Sequence, residues 1–474
     1  MYIDYYNWNK RSKELFQSCL RQLGLSNCQF YYPPFALFFK IYNTENSHRC
    51  IDFKRRYYVQ SIDHSLQHPD RDDYDSNGMY LATLLDSKLN KRYQKPIFVK
   101  QLSILDTNHI VLNHYNLLQK RHPLLPSNYN HITFDKLNKI DNSVYIDCFA
   151  SFLFGQLTEK QINPSFPLYY GCVNGIGNHR VDITEDIEEF ESYDTFNKGL
   201  HKLYDINVYT SDDSKVTEND SENEPDSEPH IHYNTEEDED DFIMEVKQIP
   251  VQSLFIESLD GTFEDMIQPE IYNPEILVSA LFQITYALAY LQTHFDFVHN
   301  DLHINNIMYT STPDEFFYYR VQDQIYKVPT YGYCFKIIDY GRSIFRFKGR
   351  LYVNDSFSKH GEADSQYIFE GNTIQNLNYS FDLCRLATTI LDEFKENEGL
   401  YEESETHTNI VQLFTKFITD CHGNIFYDGS DQTFQLYIDI TEKAVNAIPR
   451  EVLQDPLFES FKTVDSIAHY YSLN

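Results

Sequence analysis

The run His299-Asn300-Asp301-Leu302-His303-Ile304-Asn305-Asn306 and the later Ile337-Ile338-Asp339-Tyr340-Gly341 set three oxygen-bearing side chains in a fixed order along the chain. Asp301 is an acid placed to orient a hydroxyl nucleophile. Asn306, five residues on, offers an amide oxygen, and Asp339 adds a second carboxylate. Two hard oxygen donors suit Mg2+, which keeps several waters and takes few protein groups. The chemistry that needs such a set is phosphoryl transfer from ATP, where positioning and charge neutralisation supply most of the rate.

A short motif of this kind recurs by chance, so the elements around it decide. Asn273 and Pro274 form an N-cap and first helical position for a helix carrying Leu277, Leu281, Ile284, Leu288 and Leu291, a core-facing stripe that delivers the chain into the loop at His299. Ile307-Met308-Tyr309 reads as a strand leaving that loop, and Phe335 to Ile338 as a strand ending at Asp339. Upstream, Pro96 to Leu102 reads as a strand with Lys100 exposed on one side, approached through the turn Asp75-Ser76-Asn77-Gly78. A helix over about Ser143 to Thr158 and a strand at Pro167 to Val173 follow. Val251 to Ser258 reads as a strand running into the turn Leu259-Asp260-Gly261-Thr262. A helix over about Phe381 to Phe394, opened by Ser380, precedes a C-terminal region that reads as helical throughout.

These elements, in this order, resemble the protein kinase superfamily over roughly residues 75 to 395. The HNDLHINNIMY loop, the KIIDYGRSIFRFKGR segment, Asn354-Asp355-Ser356-Phe357, Gly361-Glu362-Ala363 and Gln366-Tyr367 are similar to the divergent serine/threonine protein-kinase-like proteins of large DNA viruses. The resemblance implies an α+β, two-lobed fold with a small sheet-rich N-lobe, a hinge near Glu257 to Gly261, a helical C-lobe, and ATP between the lobes. It implies that Lys100 binds the α- and β-phosphates, that Asp301 is the catalytic base, and that Asn306 and Asp339 hold the magnesium. Glu257 falls at the nucleotide-binding hinge, and Asp382 anchors the catalytic loop from below through backbone N–H groups. His299 orients the loop.

The pattern departs from the protein kinases in three places. His303 stands where a lysine is usual, as in the aminoglycoside and choline kinases, and is open to a catalytic or a structural role. No G-x-G-x-x-G precedes Lys100; only Gly78 is within reach, so phosphate would be cradled by a looser turn. No glutamate is evident as a partner for Lys100, and Asp147 is the nearest acid in the right sector, with Glu159 near the end of its helix. The activity implied is transfer to serine or threonine hydroxyls of a protein substrate. The alternatives are a small-molecule phosphotransferase, which His303 favours, and a pseudokinase scaffold, which the missing glycine-rich loop favours.

The 474 residues carry a formal net charge of −32, and residues 182 to 241 hold 22 acidic residues against Lys198, Lys202 and Lys215. Such acidity, without clustered Lys and Arg, excludes general binding to nucleic-acid phosphates. High charge and few apolar residues predict that 182–241 is a disordered insert that joins two strands without contributing core, a loop able to recruit a basic partner. The eight cysteines are scattered with no C-x-x-C pair, no apolar run reaches membrane-spanning length, and the first residues lack a targeting pattern. These features predict an intracellular, cytoplasmic protein without a membrane segment. The expected organisation is an N-terminal extension over 1–74 packed on the N-lobe, an N-lobe over 75–258 interrupted by the acidic insert, and a C-lobe over 259–474.

Overall fold

A computed structural model describes residues 5–6, 11–36, 52–66, 76–119, 125–127, 134–209, 215–216, 240–358, 363, 366–401, 404–426, 434–464 and 469–473. The chain divides into two compact units, one of Met1–Val144 and Tyr169–Ser258, the other of Tyr145–Leu168 and Leu259–Asn474. The chain passes from the first to the second at Ser258/Leu259, inside the segment read as a hinge.

The first unit is built on an antiparallel sheet. Its strands run in the order Ser26–Gln29, Tyr169–Asp182, Asp241–Glu257, Lys91–Ser103, Gly78–Asp86 and Tyr57–Ser65. The strand Lys91–Ser103 buries Ile97, Val99 and Gln101, so period-2 alternation turns Lys100 to the other face. Lys100 stands opposite Leu254, Val99 opposite Gly78, and Ile97 opposite Glu257. At the far end of Asp241–Glu257, Gly171 adopts a φ of 139°, and a Cβ there would collide with the buried guanidinium of Arg55. That guanidinium is held by Asp52 and by the carbonyls of Phe53, Tyr57 and Tyr170.

Two sequence expectations change here. The segment expected as an N-terminal extension packed on the N-lobe goes further than packing, because Tyr57–Ser65 is a strand of this same sheet and the helix Arg11–Gln22 packs on it, with Ser18 Oγ accepting from Ile62 N. Nor is 182–241 free of core. Residues 182–209 form the helices Ile187–Glu191 and Asp194–Gly199 and the strand Tyr204–Tyr209, which pairs with Asp241 to Val246. The acidic count hid the apolar residues: Ile183, Ile187, Phe190, Phe196, Leu200 and Tyr204 are all buried, and each is worth about 1.5–3 kcal/mol. The strand that follows therefore begins at Asp241 rather than Val251. Residues 210–214 and 217–239 of the expected insert lie outside the described residues.

The second unit is mostly helical. Its central helix, Pro274–Phe295, is opened by Asn273, whose side chain accepts from Glu275 N and Ile276 N, and closed by Asp296 in the left-handed conformation. It is long and apolar enough to cross a membrane, but 83% of its apolar window is buried inside the protein, which marks a core helix. Helix Ser143–Glu159, expected in the N-lobe, clusters from Tyr145 onward with this unit. Its rings explain why: Phe149 packs on Phe345, Phe347 and Tyr352, and Phe154 on Phe295, Phe297 and Tyr340. The helix is buried on every side rather than on one stripe. The C-terminal region is not helical throughout, since it ends in the strand Tyr471–Ser472, parallel to Phe316–Val321.

Candidate active site

The loop at His299–Asn306 leaves the central helix and enters the strand Ile307–Ser311, which pairs with Tyr333–Ile337 so that Ile307 faces Ile337. That register places the ends of the two motifs side by side. Ile338 N donates to Asn306 O at 3.0 Å, and His299 Nε2 lies 2.8 Å from Ile338 O. A carbonyl can only accept, so Nε2 carries the proton of this fully buried imidazole. Asn306 and Asp339 are thereby brought to one end of the strand pair. Asp339 is exposed and held at φ 61°, and its Oδ1 accepts from Gly341 N at 3.4 Å.

Beneath the loop, the completely buried Asp382, in the first turn of helix Phe381–Glu396, accepts His299 N with both oxygens at 3.0 Å and Asn300 N at 3.1 Å. Burial pushes its carboxyl up to about 6, with His299 and the two backbone donors opposing the shift. Asn300, at φ 64°, donates its amide to Arg342 O at 3.0 Å and accepts from the Tyr367 hydroxyl. The sharp left-handed step before Asp301 is thus tied on both sides.

Asp301 presents both oxygens to side chains. Oδ1 accepts from the Tyr437 hydroxyl at 2.8 Å, and Oδ2 lies 3.5 Å from Arg342 Nη1. Its backbone carbonyl accepts from Asn306 Nδ2 at 2.7 Å. The second proton of that amide points at His303 Nε2, 3.0 Å away, while Asn305 N donates to His303 Nδ1 at 3.3 Å, so donors face both ring nitrogens. Burial lowers the His303 pKa, against the pull of Asp301. With its nitrogen doubly engaged, Asn306 has its amide orientation fixed, and no described donor reaches Oδ1. An oriented amide oxygen and an exposed carboxylate at one end of a strand pair are the donor types that suit a hard divalent cation completed by water and phosphate.

Asp147 belongs to the same cluster. Buried on helix Ser143–Glu159, its Oδ1 accepts Tyr340 N at 3.0 Å, fixing the turn that carries Asp339. Of the residues assigned to nucleotide, Lys100, Gly78 and Glu257 lie together in the first unit, on three neighbouring strands. Gly78 is not a turn residue: it opens the strand Gly78–Asp86, and most of the connection before it, 67–75, is outside the described residues. Among the described residues, no group of three His, Cys, Asp or Glu is disposed to hold a metal.

No protein-family model matches the chain. A protein of Acanthamoeba polyphaga mimivirus that bears the name of a serine/threonine-protein kinase is 27% identical over 206 residues, which is 40% of this chain and 49% of that protein. A Dictyostelium discoideum protein with the same kind of name is 49% identical over 47 residues, 10% of this chain and 4% of its own length. The chain thus spans about half of the first relative and a small fraction of the second. Over that span the chain is similar to proteins named as serine/threonine-protein kinases. Among solved structures, the ROP18 kinase domain in complex with AMP-PNP and sucrose aligns over 81% of this chain and 76% of its own, at 9% identity and a TM-score of 0.30, a distance at which residue roles do not transfer.

Three residues of this kinase-like centre escape a reading of the sequence. Arg342 directly follows the Asp-Tyr-Gly turn, where a cation near an acid was a usable signal. Arg385, whose Nε lies 3.4 Å from the Tyr437 hydroxyl, and Tyr437 had none. Tyr437 is 136 residues from Asp301 and reaches it only because helix Gln435–Lys443 is tied down by Asn378, whose Nδ2 donates to Ile440 O, Thr441 O and Ala444 O.

Proposed function

We propose that this chain transfers the γ-phosphoryl group of ATP to serine or threonine hydroxyls of proteins. The observation that carries the reading is the hydrogen-bonded junction of Asn306 with Ile338, which brings the residues Asn306 and Asp339 to one end of the strand pair, one short loop from Asp301. Mg2+ held by Asn306 Oδ1 and Asp339 would neutralise charge on the phosphates. Asp301 orients the acceptor hydroxyl and accepts its proton as the new bond forms. Lys100 supplies a point charge for the α- and β-phosphates. Neutral at pH 7 and accepting from Asn306, His303 acts through the metal ligand and not as an acid. His299, Asp382 and Asp147 hold the two turns in place.

Retention of Lys100, Asp301, Asn306 and Asp339 together supports an enzyme. One observation favours a scaffold instead: both oxygens of Asp301 already have side-chain partners, so the acceptor position is filled. Radiolabelled ATP with magnesium, offered to the wild type, Asp301→Ala and Asp339→Ala with protein acceptors, decides between them. Label that disappears in both variants supports transfer. No label on any acceptor, with no thermal shift on adding nucleotide, would leave the scaffold.

A further inference from the structure

We infer that Tyr437 is this chain's own acceptor hydroxyl, phosphorylated within the molecule by the centre at Asp301. The inference rests on the phosphoryl-transfer reading and extends it to a modification site. The Tyr437 phenol donates into Asp301 Oδ1 at 2.8 Å, the hydrogen bond that an acceptor hydroxyl must make to the base. On its other side Arg385 Nε lies 3.4 Å from the Tyr437 hydroxyl oxygen, with the guanidinium carbon 5.3 Å from the ring centroid. A carboxylate to take the proton and a guanidinium to offset the developing phenolate are what a phenol needs in order to attack.

The ring is also held in place. Phe381 and Phe434 pack on it at centroid distances of 5.9 and 5.5 Å, and Gln366 Nε2 donates to Thr441 Oγ1 one turn further along the helix. Burial raises the Tyr437 pKa and Arg385 opposes the rise, so the proton leaves during transfer and not before it. In that step Asp301 takes the phenolic proton, the bond from Oη to the γ-phosphorus forms, and the bond from that phosphorus to its bridging oxygen breaks. ADP departs with the electron pair, and Asp301 returns the proton to water.

The product explains the filled acceptor position. A phosphotyrosine carries about −1.5 to −2 charges and cannot remain against a carboxylate. It would leave Asp301 for Arg385, and the acceptor position would open to another hydroxyl.

The full-length protein is incubated with magnesium and labelled ATP and its phosphorylated residues are mapped by mass spectrometry, with casein as the external acceptor. Phosphate is expected on Tyr437 with a first-order rate constant unchanged over a tenfold range of protein concentration, and none in Asp301→Asn. Transfer to casein is expected to show a lag that preincubation with ATP removes and that Tyr437→Phe lacks. Labelled casein with unmodified Tyr437 overturns this inference and leaves the proposed function standing. A rate that rises in proportion to protein concentration overturns transfer within the molecule. No transfer to any acceptor overturns the phosphoryl-transfer reading and this inference with it. The wild-type mapping decides even if the Phe variant fails to fold.

Discussion

The loop His299–Asn306 and the strand that carries Lys100 are held by different means. The strand is fixed by a regular ladder to Gly78–Asp86 on one side and Asp241–Glu257 on the other, and any side chain at position 100 would inherit the same placement from period-2 alternation. The loop has no such repeat. It takes a left-handed step at Asn300 and is held by particular side chains: Asp382 beneath, Tyr367 and the Arg342 carbonyl beside, His303 and Asn306 across it. A ladder tolerates substitution because the backbone provides the contacts. A side-chain-held loop concentrates its stability in a few groups whose loss leaves buried donors unpaired.

The largest expected effect tests the loop's chemistry alone. Asp301→Asn should lower transfer by about 10³-fold, within the range for removing a general base, while the unfolding midpoint in urea barely moves, because the amide still accepts from Tyr437. A variant that loses activity and stability together would show Asp301 to be part of the loop's support.

The support itself is tested next. Asp382→Asn keeps one oxygen able to accept from His299 N and Asn300 N but replaces the other with an NH2 donor facing the buried His299 N–H, at a cost of about 3 kcal/mol. Lys100→Met, the matching change in the ladder-held region, should cost less than about 1 kcal/mol while weakening ATP binding. Equal losses of stability would erase the contrast. Asp382 also gives it a pH signature. Its carboxyl is pushed up to about 6 in the folded state from an unfolded value near 3.9, so the native state binds the proton more tightly. That contribution is fully present below pH ~4 and lost as pH rises through ~6, by about 2–3 kcal/mol. Wild-type stability relative to Asp382→Asn should therefore fall between pH 4 and 6 in urea titrations; a difference that rises there would reverse the sign of the shift.

The same distinction governs what the sequence revealed. The strands, the central helix and the three oxygen donors were legible because each rests on local signals: alternation at Ile97 to Gln101, an Asn-Pro helix start at 273–274, acids and an amide at fixed spacing. Asp382 was placed by the resemblance to kinases, since a first-turn acid taken locally says only that it complements the helix terminus. Arg385 and Tyr437 were not legible, because nothing within ten residues of Tyr437 speaks of Asp301. The helix Ser143–Glu159 was read with the first unit because it lies between two of that unit's strands in sequence, whereas from Tyr145 onward its rings pack in the second. The segment 182–209 was misread because net charge, an average, masked apolar residues that pair with Asp241–Glu257.

His303 offers a smaller effect that separates chemistry from support within the loop. His303→Ala removes one of the two contacts of Asn306 Nδ2, leaving the Asp301 carbonyl alone to hold the amide, and should raise the magnesium concentration for half-maximal transfer about tenfold. His303→Gln, whose Oε1 can accept the same bond, should recover part of the loss. A fall in kcat with no change in the magnesium dependence would return His303 to a direct role on the phosphoryl group.

The smallest effect is expected in the first unit, where the acidic segment divides into a part that pairs and a part beyond it. Removing 182–241 whole would delete the strand Tyr204–Tyr209 and the buried Phe196 and Tyr204, and cooperative unfolding should be lost. Replacing only 217–239 should not do this. Val216 pairs with Val208 on one side of that strand and Asp241 with Tyr209 on the other, so their ends lie about two strand spacings, ~10 Å, apart. A four-residue Gly-Ser linker reaches ~13 Å and closes the gap. Shortening the connection lowers its closure entropy by about 1–2 kcal/mol at most, and removing ten acidic residues relieves self-repulsion, so the thermal midpoint should stay or rise by a few degrees. A marked fall would show that 217–239 carries core of its own and that the ladder does not hold this edge of the sheet unaided.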